Sequence, residues 1–152
     1  MALSPRLPLN GELSDQRMTK ASGIDNMEMV DTNFTKKELT CQCGCGAMPS
    51  EDSQRSLFGA RHLYGDTMVI SRAARCRSHN AAVGGKSESR HIVEKGLKDS
   101  GDAYDVMITD LSKTARFHYA CYANGFHTVV PINAKKGLYH IDKRPVPKYW
   151  FY

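Results

Sequence analysis

The 152-residue sequence predicts an α+β fold, a small and mostly antiparallel sheet flanked by helices, and three observations carry that expectation. Leu57, Ala60 and Tyr64 recur at helical spacing, and a second helical pattern follows Asp110. Short apolar or alternating runs at residues 67–71, 103–108, 126–132 and 138–142 have the length of strands. Helices and strands follow one another irregularly, without the repeated strand-helix-strand unit of a doubly wound sheet.

Residues 1–32 carry Pro, Ser, Asp and Met with no sustained apolar period and read as an extended N-terminal arm, leaving 33–152 as the folded domain. Thr35-x-x-Glu38 is a capping box, so a short helix starts at Thr35 and runs into Cys41-Gln42-Cys43-Gly44-Cys45-Gly46. Residues 51–64 form an amphipathic helix with acidic residues in its first turn and Gly65 at its end. The strand at 67–71 delivers Arg72 and Arg75 just past its end. One helical turn at 79–83 is stopped by Gly84-Gly85, and the bend that follows turns Ser89 and His91 back toward the strand. Asp105 lies inside the strand at 103–108. Asp110 caps a helix with Leu111, Ala115, Tyr119 and Tyr122 along one face, and Asn124-Gly125 ends it. Residues 126–132 and 138–142 close the sheet as a pair joined by the polar turn 133–137. The tail 144–152, which ends in Tyr149-Trp150-Phe151-Tyr152, packs over a core edge.

Apolar residues make up 41% and charged residues 24% of the chain, an ordinary balance for a globular domain that builds its core without disulfides. No apolar run is long enough to span a membrane, and the N-terminus has no apolar signal region. The expected place of synthesis is the cytoplasm. The net charge is +5, with Lys and Arg scattered rather than blocked, a mild positive field suited to an anionic polymer or surface. No helix-turn-helix, RNP-type or zinc-finger pattern is present, so nucleic acid is not expected as a partner. Five cysteines exclude complete pairing within one chain. The cluster at 41–46 reads as reduced thiols in a Gly-rich turn. A metal held by these thiolates with help from Cys76 or Cys121 is the alternative, although C-x-C-x-C is not a standard structural zinc spacing.

Two neutral imidazoles and a carboxylate form a common zinc shell that leaves a fourth position for water, whose pKa bound zinc brings to about 7. His91 on a Gly-bent loop, Asp105 on a buried strand and His140 on an alternating strand are distributed as such a convergent set requires. Composition alone does not select them from six histidines. His79-Asn80 reads as a structural turn, and His62 and His118 as surface residues of amphipathic helices.

Selection comes from a set of ordered motifs: Ser71-x-x-x-Arg75, His79-Asn80-x-x-x-Gly84-Gly85, Ser89-x-His91, Gly101-x-Ala103-x-Asp105 and Tyr139-His140-x-Asp142, preceded by Phe34-Thr35-x-x-Glu38-Leu39-x-Cys41. Over residues 34–144 this pattern resembles the zinc D-alanyl-D-alanine carboxypeptidases and the related phage cell-wall peptidases, whose fold is shared with lysostaphin-type enzymes and the hedgehog signalling domain. The resemblance implies a Zn2+ held by His91, Asp105 and His140. It implies that Arg75 grips the substrate and steadies the oxyanion, and that Ser89 bonds the substrate backbone. The implied substrate is a peptidoglycan stem peptide or cross-bridge.

Two departures stand out. His91 and Asp105 are further apart than is usual in the family, which places an inserted rim loop within residues 92–100; Gly96 and Asp99 offer a rival alignment that matches less well. Where some relatives carry an acid three residues before the last histidine, this chain has Gly137. Asp142 is the substitute as catalytic base, with orientation of a neighbouring group as its other role, and His127 is a further candidate for steadying the transition state. Small size and the lack of a wall-binding module suggest a phage or prophage product acting after lysis or from the virion. The alternative is a virion structural or assembly protein that keeps the fold and uses its arm to contact a second copy or other virion proteins.

Overall fold

The computed structural model describes residues 33–94 and 101–145. The N-terminal arm, Gly96 and Asp99 of the rival alignment and the aromatic end of the tail lie outside the described residues.

Among the described residues, four α-helices and four strands follow in the order α1 (Lys36–Leu39), α2 (Glu51–Tyr64), β1 (Met68–Arg72), α3 (Arg77–Ala82), β2 (Ala103–Ile108), α4 (Thr114–Ala123), β3 (Thr128–Asn133) and β4 (Leu138–Asp142). The fold is α+β, as expected. The capping box is formed: Thr35 Oγ1 accepts from Glu38 N at 3.3 Å, and Glu38 Oε2 accepts from Thr35 N at 2.7 Å. Helix α2 runs from its Ser50 cap to Gly65 and buries Ser53, Leu57, Ala60 and Tyr64, the stripe expected of its period.

Helix α4 differs from expectation. Asp110 caps a 3-10 turn at Leu111–Lys113, so the α-helix begins at Thr114 and its inward face is set by Phe117, Ala120 and Cys121. Leu111, Ala115, Tyr119 and Tyr122 are on the solvent side, with Tyr119 65% exposed. Phe117 packs edge-on against Tyr64 at 5.8 Å between ring centroids. Truncating Phe117 to Ala is therefore expected to cost about 3–5 kcal/mol, and Tyr119→Ala no more than about 0.5 kcal/mol, as read by chemical denaturation of the two variants.

The sheet is antiparallel in the order β1-β2-β4-β3, so β4 returns from β3 into the space between β2 and β3. Alternation along each strand then sorts the residues into two faces. Tyr104, Val106 and Ile108 of β2, with Tyr139 and Ile141 of β4, join the cluster that includes Leu57, Ala60 and Phe117 of the helices. Asp105 and the two residues His140 and Asp142 fall on the opposite face, where Asp105 pairs with His140 and Ala103 with Asp142. A slip of one residue in this pairing would carry the polar set into the apolar core.

The segment expected as a rim loop begins as part of the core. Ile92 is 5% exposed and forms a parallel bridge with Arg75, and Val93 N donates to Arg75 O at 2.8 Å. The ends of the longer loop are held together where Arg90 Nε donates to Asp102 Oδ1 at 2.8 Å and Asp102 N donates to Arg90 O at 3.2 Å. Extra loop length adds little closure entropy once its ends are fixed. Among the described residues, no helix is long and apolar enough to cross a membrane.

Candidate metal centre

Cross-strand pairing alone brings Asp105 and His140 side by side, and the third member arrives from the loop. A register shift between Ile70 and Arg72 lets β1 leave the sheet and pass through Ala73 and Ala74 to Arg75. There Arg75 N donates to His91 O at 2.8 Å, and His91 Nδ1 donates to Ala73 O at 2.8 Å. The result is a buried cluster in which the ligand atoms of His91, Asp105 and His140 all lie within 4.8 Å of one another.

The orientation of the two rings is set by what each holds on its far side. His91 gives Nδ1–H to a carbonyl, so its neutral ring turns the Nε2 lone pair toward Asp105 Oδ1, 3.2 Å away. His140 Nε2 lies 2.9 Å from Asp142 Oδ2 and donates to it. Its Nδ1 lone pair then faces the same Asp105 oxygen at 3.0 Å. Three electron-rich atoms converge on one point, an arrangement that a cation between them stabilises. With metal-ligand arms of about 2.0–2.1 Å, the edges of a tetrahedral zinc shell measure about 3.3 Å, close to the 3.2 and 3.0 Å that separate Asp105 Oδ1 from the two rings. The residues present therefore fit a zinc ion.

Charge is distributed to match. Burial works to raise the Asp105 carboxyl, but the His140 and His91 rings packed against it hold it well below the usual carboxylate range. Burial likewise pulls His140 down, and its contacts with Asp105 and Asp142 raise it overall. Asp142 is 0% exposed. Both its oxygens are engaged: Arg144 Nε donates to Oδ1 at 2.8 Å and to Oδ2 at 2.7 Å, and Arg144 N donates to Oδ1 at 3.1 Å.

The other expected residues sit around this centre. Arg75 is half-buried, with Nη1 donating to Asn80 Oδ1 at 3.4 Å. Burial and neighbouring Arg72 draw its pKa down against the pull of Asp105 and Cys41, and a guanidinium keeps its charge regardless. A cleft of about 310 Å³ is lined by Arg72, Ala73, Arg75, His79 and the Gly84-Gly85 bend, so it shares Ala73 and Arg75 with the surroundings of His91. Ser89 Oγ accepts from His91 N at 3.4 Å. His127 is exposed just ahead of β3 and is not among the converging ligand groups. Gly137 adopts φ +68°, and a Cβ there would stand 2.3 Å from the Ile108 carbonyl oxygen. No acidic side chain fits that position without moving the backbone.

Three contributors escaped the sequence reading. The Ala73 carbonyl has no sequence signal. Arg144 had one, since it lies two residues beyond Asp142 and continues the same alternation. Asn80, read as part of a turn, is buried at 2% exposure and donates to Lys86 O at 2.9 Å, fixing the glycine bend.

A sheet that gathers two imidazoles and a carboxylate beside an arginine-lined cleft has the architecture of a metallohydrolase. The family model described as Peptidase M15 matches residues 32–142, well over half of the chain, and the protein belongs to that family. It is a hydrolase of the metallopeptidase class. No curated protein and no solved structure matches the chain.

Proposed function

We propose that the protein is a zinc peptidase that hydrolyses a peptide bond in the stem peptide or cross-bridge of peptidoglycan, as a D-alanyl-D-alanine carboxypeptidase or an endopeptidase of the same chemistry. The observation that carries this reading is the convergence of the His91, His140 and Asp105 lone pairs on one point, with both rings held in the required tautomer from behind. Zinc bound there supplies Lewis-acid polarisation of the scissile carbonyl and an acidified water. Arg75, facing the cleft, pairs with a substrate carboxylate or with the developing oxyanion. Ser89 offers its hydroxyl to the peptide backbone, and His127, exposed just ahead of β3, is the further candidate for steadying the transition state.

Asp142 serves in this reading to hold His140 Nε2–H, because its carboxylate is fully buried and tied to Arg144. Asp142→Asn is then expected to weaken zinc affinity about 10–100-fold, measured by competition with a chelating dye. Unchanged affinity with abolished turnover would instead assign Asp142 as the catalytic base.

The test of the function is digestion of purified peptidoglycan with mass spectrometry of the released products. Free D-alanine marks a carboxypeptidase and cut muropeptides an endopeptidase. If zinc-loaded and chelator-stripped protein give the same products, the peptidase reading fails. Gly137 is the observation that favours the second reading, a phage-derived virion or assembly protein that retains the fold, with residues 1–32 as its contact arm. Copurification with assembled particles, without peptidoglycan cleavage, is the result that reading expects.

A further inference from the structure

A second convergence of ligand atoms lies away from the histidines. The sulfurs of Cys41, Cys43, Cys45 and Cys76 all lie within 4.8 Å of one another, with Cys41 to Cys43 at 3.4 Å and Cys43 to Cys76 at 3.6 Å. Spacing along the chain does not reveal this, because Cys76 comes from the N-cap of α3, beyond β1. Four thiolates around zinc at about 2.3 Å form a tetrahedron with edges of about 3.8 Å. A disulfide needs its sulfurs at about 2.0 Å, and these cysteines are free.

The backbone is shaped around the cluster. Gly44 and Gly46 take φ +81° and +80° with open space where a Cβ would stand, so it is the left-handed turn and not crowding that calls for glycine at both. Donors point at the sulfurs: Cys76 N to Cys41 Sγ at 3.3 Å, and His79 N to Cys76 Sγ at 3.3 Å. His79 Nδ1 lies 3.1 Å from Cys41 Sγ. Such outer contacts orient thiolate ligands and support their charge.

We propose that Cys41, Cys43, Cys45 and Cys76 bind one Zn2+ in a structural site separate from the His91-Asp105-His140 centre. Binding takes all four sulfurs as thiolates and releases the protons that the thiols still carry. The site ties the turn after α1 to the residue that follows Arg75, and so fixes the wall of the cleft from which Arg75 acts.

The test uses full-length protein loaded with zinc under reducing conditions and freed of excess metal. Cys43→Ser/Cys45→Ser is expected to lose one equivalent of zinc. Cobalt substitution of the wild type is expected to give an intense sulfur-to-metal charge-transfer band that survives His140→Ala and disappears in the cysteine variant. A further measurement needs no variant: Cys43 and Cys45, both exposed, should resist an aromatic disulfide reagent until a chelator is added. Full reactivity of these thiols in zinc-loaded protein would overturn the proposal. So would a cobalt spectrum without sulfur character, or shielding undone by a phosphine reductant and not by chelation, which would mean a disulfide. None of these readouts involves hydrolysis, so failure of the peptidase reading leaves them intact.

Discussion

His140→Ala is expected to remove one equivalent of bound zinc and to lower peptidoglycan hydrolysis at least about 1,000-fold, the equivalent of about 4 kcal/mol of transition-state stabilisation. The size of the effect follows from what His140 holds together. Its Nδ1 faces Asp105 and its Nε2 faces Asp142, so truncation deletes a ligand and leaves two buried carboxylates with one partner fewer. Asp105→Ala should lose the same equivalent of metal, and zinc content that stays at the wild-type level in that variant would show that another residue supplies the carboxylate. Thermal melts of both variants separate loss of metal from loss of fold.

For Arg75→Ala the expected result is a fall in kcat/KM of about 100- to 1,000-fold with zinc content unchanged. Among the described residues, Arg75 hydrogen-bonds through its side chain to Asn80 and to none of the three metal ligands. Its backbone N and O clamp His91 and Val93, and both survive the substitution. Arg75→Lys should recover part of the loss, since an ammonium supplies charge without the planar pair of donors that matches a carboxylate. A substrate with a free terminal carboxylate should suffer most from Arg75→Ala if the enzyme is a carboxypeptidase. Kinetics indistinguishable from wild type would remove Arg75 from the site.

Several parts of the molecule were legible locally. The capping box at Thr35, the α2 stripe ending at Gly65 and the strand at 103–108 are properties of near neighbours in the chain, and each stands where its pattern put it. The strand pattern also put His140 and Asp142 on one face of their strand. Helix α4 was misread because the Asp110 cap belongs to a 3-10 turn, which shifts the phase of everything after it and turns Phe117 inward in place of Tyr119. Ile92 was assigned to a loop because a single bridging residue has no periodicity to announce it.

By itself the sequence determined the α+β class, the boundaries of most elements and, through ordered motifs, the identities of the residues now found to converge at His91, Asp105 and His140. What required the tertiary structure was adjacency. The placement of β4 between β2 and β3 sets Asp105 against His140, the exit of β1 brings the Ala73 carbonyl to His91, and the α3 cap carries Cys76 to the other three cysteines. Periodicity and capping depend on residues a few positions apart, whereas a site depends on register and strand order, which join residues whose separation in the chain carries no trace of their meeting.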